Sequence, residues 1–114
     1  MNYTKINNIL GWLSFVIASA VYILTLEPTA SFWDCGEFIS AAYKLQVVHQ
    51  PGAPLFLMIQ KLFSLLAMGN IHQIAYWMNV GSALSSGATI LFLFWTITML
   101  VKKVVWKSGE ELTY

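Results

Sequence analysis

Two long apolar runs dominate the pattern of hydrophobic and polar positions along the chain. The first, Ile9 to Leu26, contains no charged residue. As an α-helix it would extend about 27 Å, close to the ~30 Å of a bilayer hydrocarbon core. The second, Ile74 to Val101, is also uncharged, and Asn79 is its only amide side chain. The pattern therefore predicts an all-α membrane protein with transmembrane helices over residues 9–26 and 74–101.

The first run has a second interpretation as a signal peptide, because Ala18-Ser19-Ala20 resembles a cleavage site. However, the apolar run continues past that point through Val21–Leu24, and the segment before it offers only Lys5 as a basic residue. An uncleaved transmembrane helix fits these flanks better. Glu27-Pro28 predicts where this helix ends, since the residue before a proline disfavours helical backbone.

A third apolar segment, Pro54–Met68, lies between the two runs. As a helix it would be about 22 Å long, too short to cross a bilayer comfortably. Pro54 suits a first helical turn, and Gly69-Asn70 suits a helix end. Its narrow polar face consists of Gln60, Lys61 and Ser64. We predict an interfacial helix over 54–68; the alternative, a third crossing, would place Lys61 in hydrocarbon at a cost of about 2.5–3.5 kcal/mol near the centre.

Composition supports the membrane assignment. Of the 114 residues, 58% are hydrophobic and 10% are charged, whereas an average soluble domain carries roughly 25% charged residues. A small soluble domain buries only ~60–70% of its surface and could not hide this much apolar area. The net charge of +1 gives no reason to expect a nucleic-acid partner, and membrane lipid is the expected surrounding.

The distribution of lysines predicts the orientation. Lys5 precedes the first span, while Lys102, Lys103 and Lys107 follow the second. Because positive charge accumulates on the cytoplasmic side, residues 1–8 and the tail 102–114 should be cytoplasmic. The connecting region 27–73 should then face the outside, which is the periplasm for a bacterial inner membrane or the lumen in a eukaryote.

The external loop 27–53 is unusual in its polar residues. The stretch "FWDCGEFISAAYKLQVVHQPGAP" holds two of the five acidic residues, Asp34 and Glu37, and one of the two histidines, His49. Asp34 followed by Glu37 fits a capping box, with Asp at the N-cap and Glu at N3, and Trp33 with Phe38 would form the accompanying hydrophobic staple. The loop therefore predicts a short helix over 35–46.

The same residues can also carry chemistry. Desolvation beside the aromatic residues and the membrane would raise the pKa of a carboxylate toward the range of a general base. His49, just before the Pro-Gly turn, is either an ordinary loop histidine or a proton carrier or phosphate contact. The spacing of Asp34, Glu37 and His49 is not a specific metal signature, so no metal is predicted.

At this loop the sequence resembles a known family. The stretches "PTASFWDCGEF" and "HQPGAPLF" resemble the start of large bacterial membrane proteins catalogued as domain of unknown function 2723, which are similar to protein O-mannosyltransferases of the GT-C superfamily. The resemblance covers roughly Ile9 to Val105. It implies many transmembrane helices, a polyprenyl-phosphate sugar as donor and a protein hydroxyl as acceptor. Family members are several times longer, which implies a piece of a longer chain or a truncated copy.

The resemblance also implies roles for individual residues. Asp34 matches the loop carboxylate and becomes the candidate general base. Glu37 matches the second acid and is the second candidate catalytic residue, which would fix the loop or support a second contact. His49 would face the donor phosphate, and Trp33 beside the acid would contact substrate. We expect the N-terminal segment of a glycosyltransferase, inactive in isolation, with no cofactor beyond its lipid-linked substrate and with the need for a divalent metal left open. The alternative is a small non-catalytic membrane subunit that packs on a larger complex through the small-residue face Gly81–Ala88.

Overall fold

The computed structural model describes residues 2–50 and 52–105. Within them the chain forms helices α1 (Tyr3–Leu24), α2 (Cys35–Lys44), α3 (Pro54–Leu65) and α4 (Ile74–Val105), with a 3-10 turn at Ile71–Gln73. Two helical stretches, Tyr3–Leu24 and Ile71–Val104, are long and apolar enough to cross a membrane, and only 11% of each apolar window is buried within the chain. Soluble core helices would be mostly buried, so the predicted all-α membrane class is confirmed.

The two long helices extend beyond the predicted apolar runs at one end each, while α1 ends at Leu24, two residues before the predicted Leu26. Helix α1 begins at Tyr3 rather than Ile9, because Asn2 precedes it and its side-chain Oδ1 accepts a hydrogen bond from the backbone N of Thr4 at 3.3 Å. Helix α4 continues through Lys102 and Lys103, whose charges are favourable at a helix C-terminus. Trp106, Lys107 and the rest of the predicted tail after residue 105 lie outside the described residues.

Residues 2–22 and 84–105 form one compact unit. In it α1 packs antiparallel to the second part of α4, since Gly11 faces the indole of Trp95 and Gly87 faces Ser19. The rings of Trp12 and Trp95 meet edge to face, with centroids 6.0 Å apart. Small residues allow such helices to approach closely. Gly87, part of the small-residue face Gly81–Ala88, is therefore used for packing within the chain.

Residues 23–83 form the second unit, which contains α2, α3 and the first part of α4. Its buried core consists of Ala41, Ala42, Val48, Leu57, Ala67, Ile74 and Met78. Gly81 of α4 leaves room for the ring of Phe63 on α3. Helix α3 ends at Leu65, short of the predicted Met68, because the backbone N–H groups of residues 66–68 donate to carbonyls three residues back rather than four. Met68 and Gly69 then adopt left-handed backbone, with φ of 48° and 85°.

The polar face of α3 points inward. Gln60 and Ser64 are each only 4% exposed, and Gln60 Nε2 donates to Ser82 Oγ of α4 at 3.0 Å. Lys61 Nζ donates to the carbonyl of Tyr43 at the end of α2 and lies 4.7 Å from the centroid of the Tyr43 ring. The outward face of α3 is apolar and exposed, with Leu55, Met58, Leu62 and Leu65. An interfacial helix ordinarily turns its polar face to water, so this orientation suits contact with an apolar medium instead.

Candidate functional site

Helix α2 begins immediately after Asp34, as the capping pattern predicts, but the cap itself is different. The Asp34 carbonyl accepts from Phe38 N at 3.0 Å, which starts the helix. The Asp34 side chain makes no capping hydrogen bond, and its backbone is helical, with φ −74° and ψ −2°. A capping residue usually has extended backbone that turns its oxygen toward the helix amides. The predicted side-chain cap is therefore wrong, and the exposed Asp34 carboxylate is not engaged by the helix.

The aromatic residues before Asp34 point away from the chain. Phe32 and Trp33 are each 94% exposed, and Trp33 has left-handed backbone with φ 70°, an uncommon conformation for a bulky residue. The predicted staple between Trp33 and Phe38 is wrong, because so exposed a side chain cannot pack on α2. Phe38 instead meets the rings of His49 and Phe56 edge to face, with centroids 6.1 and 5.7 Å apart.

Glu37 binds His49 through both carboxylate oxygens. Its Oε1 accepts a hydrogen bond from the backbone N of His49 at 2.9 Å, and its Oε2 lies 2.9 Å from His49 Nδ1. We refer to this pair as the Glu37–His49 clasp. A capping-box glutamate would reach back to the residue at the N-cap, whereas here it reaches forward and fastens the segment before α3 to the first turn of α2.

The clasp favours the charged form of both partners. The pKa of Glu37 is lowered, first by the hydrogen bond from the His49 backbone and then by the bond to its ring. The expectation of a raised carboxyl pKa is therefore wrong for Glu37. The pKa of His49 is raised, chiefly by its hydrogen bond to Glu37 and by the charge of Glu37, with a smaller contribution from Asp34. The pair is thus a carboxylate and an imidazolium over a wider pH range than either group alone would allow.

These shifts predict a pH window for the stability of the clasp. Its contribution is fully present above the ordinary Glu37 pKa of 4.5 and below the ordinary His49 pKa of 6.5. It is lost as pH falls through the lowered pKa of Glu37 or rises through the raised pKa of His49. The measurement is thermal unfolding of wild type and His49→Gln across pH, and we expect their difference to peak between 4.5 and 6.5.

His72→Gln is the matched control for this pH window. His72 is an exposed histidine in the 3-10 turn, and only its backbone N takes part in the local hydrogen bond to Asn70. The difference between wild type and His72→Gln should show no maximum in the window. An equally flat profile for His49→Gln would contradict the clasp.

Asn79 makes polar contacts that the sequence analysis did not predict. From α4, its Nδ2 donates to the carbonyls of Glu27 at 2.9 Å and Thr29 at 3.0 Å. The available signal was a lone amide in an otherwise apolar span, which needs a hydrogen-bond partner. Among residues 2–50 and 52–105, no group of three or more His, Cys, Asp or Glu side chains is placed to hold a metal ion.

Comparison with known proteins places this loop in a family. Residues 34–113, beginning at Asp34 itself, match the family described as "Protein O-mannosyl-transferase TMEM260 N-terminal domain". The chain belongs to this family. The match confirms the resemblance to protein O-mannosyltransferases that the loop motifs indicated.

Two relatives carry the same description. The chain is 36% identical over 87 residues to Protein O-mannosyl-transferase TMEM260 of Mus musculus. It is 29% identical over 89 residues to Protein O-mannosyl-transferase tmem260 of Dictyostelium discoideum. The alignments cover 75% and 78% of this chain but only 12% and 11% of the two relatives. The chain thus spans about a ninth of their length, and no solved structure matches it.

Proposed function

We propose that this chain is the N-terminal part of a membrane glycosyltransferase that moves a sugar from a polyprenyl-phosphate donor to a protein hydroxyl. Membership of the family and the description of the two relatives as protein O-mannosyl-transferases support the reaction class. The single observation that carries the site is the Asp34 carboxylate, exposed and without a capping bond at the start of α2. Such a group is available to an acceptor, whereas Glu37 is occupied by His49.

Asp34 acts as the general base in this proposal. Its carboxylate accepts the proton of a Ser or Thr hydroxyl while the hydroxyl oxygen attacks the anomeric carbon of the sugar. The bond between that carbon and the phosphate oxygen breaks, and the electron pair leaves with polyprenyl phosphate. No metal or redox partner is needed to balance this step.

The clasp and Trp33 act around this step. Glu37 favours the imidazolium form of His49, whose Nδ1 is turned to Glu37. Nε2 is then the ring atom that meets the donor phosphate, where a positive charge stabilises the leaving group. Trp33, displayed beside Asp34, offers an aromatic face to the substrate. The isolated 114-residue chain is inactive in this proposal, because two crossings do not enclose a lipid-linked donor.

Sugar transfer by a full-length protein containing this chain is the direct test. The protein would be reconstituted in lipid with a polyprenyl-phosphate sugar and an acceptor protein rich in Ser and Thr, with the 114-residue chain in parallel. We expect sugar on the acceptor only with the full-length protein. Absence of transfer from every polyprenyl-phosphate sugar offered would reject the proposal, and transfer by the short chain would reject its inactivity.

We propose a bacterial inner membrane with residues 27–73 in the periplasm, because the lysine pattern predicts that the loop faces outside. Cys35 reports this orientation because it is the only cysteine of the chain and follows Asp34 directly. A membrane-impermeant thiol reagent should label Cys35 on intact spheroplasts, with labelling after denaturation as the reference for the total thiol. Labelling that requires permeabilised membranes would reverse the orientation.

A further inference from the structure

The side chain of Asn79 bonds to residues that lie 52 and 50 positions earlier in the sequence, at the start of the external loop. Its Nδ2 donates to the backbone carbonyls of Glu27 and Thr29, at 2.9 and 3.0 Å. We propose that Asn79 is a positioning residue for the Asp34 carboxylate, because it fixes the turn from which the chain runs to Asp34. This inference rests on the proposed role of Asp34 as general base.

The turn at Glu27–Thr29 has few hydrogen bonds of its own. It follows the end of α1, and Pro28 at its centre has no backbone N–H to offer. A side-chain bond from Thr29 Oγ1 to Glu27 Oε1, at 2.7 Å, ties the two flanking residues together. Both N–H groups of the Asn79 amide then satisfy carbonyls on either side of the proline. One amide on a rigid helix thereby fixes two backbone positions in the loop.

The distance along the chain from this turn to the candidate base is short. Only residues 30–33 separate Thr29 from Asp34, whose carbonyl is held by Phe38 N in the first turn of α2. Residues 30–33 form a tether that is thus fixed at one end by α4 and at the other by α2. Release of the first end would let the tether pull Asp34 into other positions, and a displacement of about 1 Å at a reacting group can cost ~10²-fold in rate.

The test uses three substitutions of Asn79 in the reconstituted full-length protein. Asn79→Leu has a similar volume and no donor, whereas Asn79→Gln keeps the amide on a longer side chain. We expect Asn79→Leu to lower kcat about 10- to 100-fold with little change in KM for the donor, and Asn79→Gln to recover part of the loss. Asn79→Ser keeps one donor on a shorter side chain, so its kcat must also fall even if the leucine variant does not fold.

A second readout does not depend on activity. The Cys35 thiol follows Asp34 directly, and it lines the same cavity as Asn79. Its rate of reaction with a small uncharged thiol reagent therefore reports the position of that segment when Asn79→Leu, which fills the cavity, and Asn79→Ser, which empties it, change the rate in the same direction. Asn79→Leu should raise this rate several-fold, while Asn79→Gln should stay closer to wild type. Asn8→Leu is the matched control, since Asn8 is an exposed amide on α1, and its Cys35 rate and kcat should equal those of wild type.

The two readouts separate the possible failures. If Asn79→Leu keeps both kcat and the Cys35 rate of wild type, Asn79 does not position Asp34 and the inference is overturned. If the Cys35 rates change as expected but the wild-type protein transfers no sugar, the anchoring of the turn stands and the proposed function of Asp34 fails. A fall in kcat with an unchanged Cys35 rate also overturns the inference, because the loss would then arise away from the segment.

Discussion

Asp34→Asn should abolish most sugar transfer while leaving the fold intact. Asn cannot accept the proton of the acceptor hydroxyl, and loss of a general base typically costs ~10²–10⁴-fold in rate. Stability should change by no more than a helix-dipole contribution of about 0.3–1 kcal/mol, since a negative charge is lost near the start of α2. The measurement is kcat for transfer together with thermal unfolding of the same full-length protein.

Asp34→Ala sharpens this prediction. Removal of a capping side chain costs about 0.5–2 kcal/mol, but the Asp34 side chain makes no capping bond. The free energy of unfolding of Asp34→Ala should therefore be nearly the same as that of Asp34→Asn. Glu27→Gln is the matched control, because Glu27 is an exposed carboxylate of the same loop and glutamine keeps an Oε1 oxygen that can accept the hydrogen bond from Thr29 Oγ1, so its transfer rate should stay near wild type. Transfer by Asp34→Asn within a few-fold of wild type would move the catalytic role away from Asp34.

Gly11→Ala and Gly36→Ala should change stability in opposite directions. A Cβ at Gly11 would overlap the indole of Trp95, and such overpacking costs about 1–3 kcal/mol. A Cβ at Gly36, inside α2, meets no atom within 4 Å. This change should stabilise the protein by about 0.5–1 kcal/mol, because alanine loses less backbone entropy on folding than glycine does. The measurement is the free energy of unfolding of each variant, obtained by titrating both with a denaturing detergent in the same mixed micelles.

A double variant tests whether the loss at Gly11 arises at the indole. Adding Trp95→Leu to Gly11→Ala removes the overlapping ring, so the two changes should be less destabilising together than the sum of their separate effects. Additive effects, or a Gly11→Ala variant as stable as wild type, would show that α1 and α4 do not pack at this position.

The helices were predictable because each is encoded by neighbouring residues. Uninterrupted apolar runs marked α1 and α4, and Pro54 marked the start of α3. Their ends were less predictable, because hydrocarbon thickness limits the apolar run and not the helix. Lys5 and Lys102 are compatible with helix in water, so α1 begins before the apolar run and α4 continues beyond it.

The sequence predicted which residues form the site but not which of them contact one another. The motif brought Asp34, Glu37 and His49 to notice, and the structure joins Glu37 to His49 while it leaves Asp34 exposed. Local spacing could not reveal this, since the clasp joins residues in different elements and competes with the local capping bond. The sequence could not predict the contacts of Asn79 either, because periodicity identifies a helix face but not the backbone that lies opposite it.

The inward polar face of α3 sets the order in which this region can assemble during synthesis. Gln60 finds its partner in Ser82, a residue that the ribosome adds only after α3 is complete. Until α4 emerges, the amide of Gln60 must be hydrated, while the leucines on the opposite face favour lipid. Helix α3 therefore cannot settle in its final environment as the chain first passes through the membrane. Its buried polar contacts form only once α4 is present, and residues 27–73 acquire their final conformation only at that step.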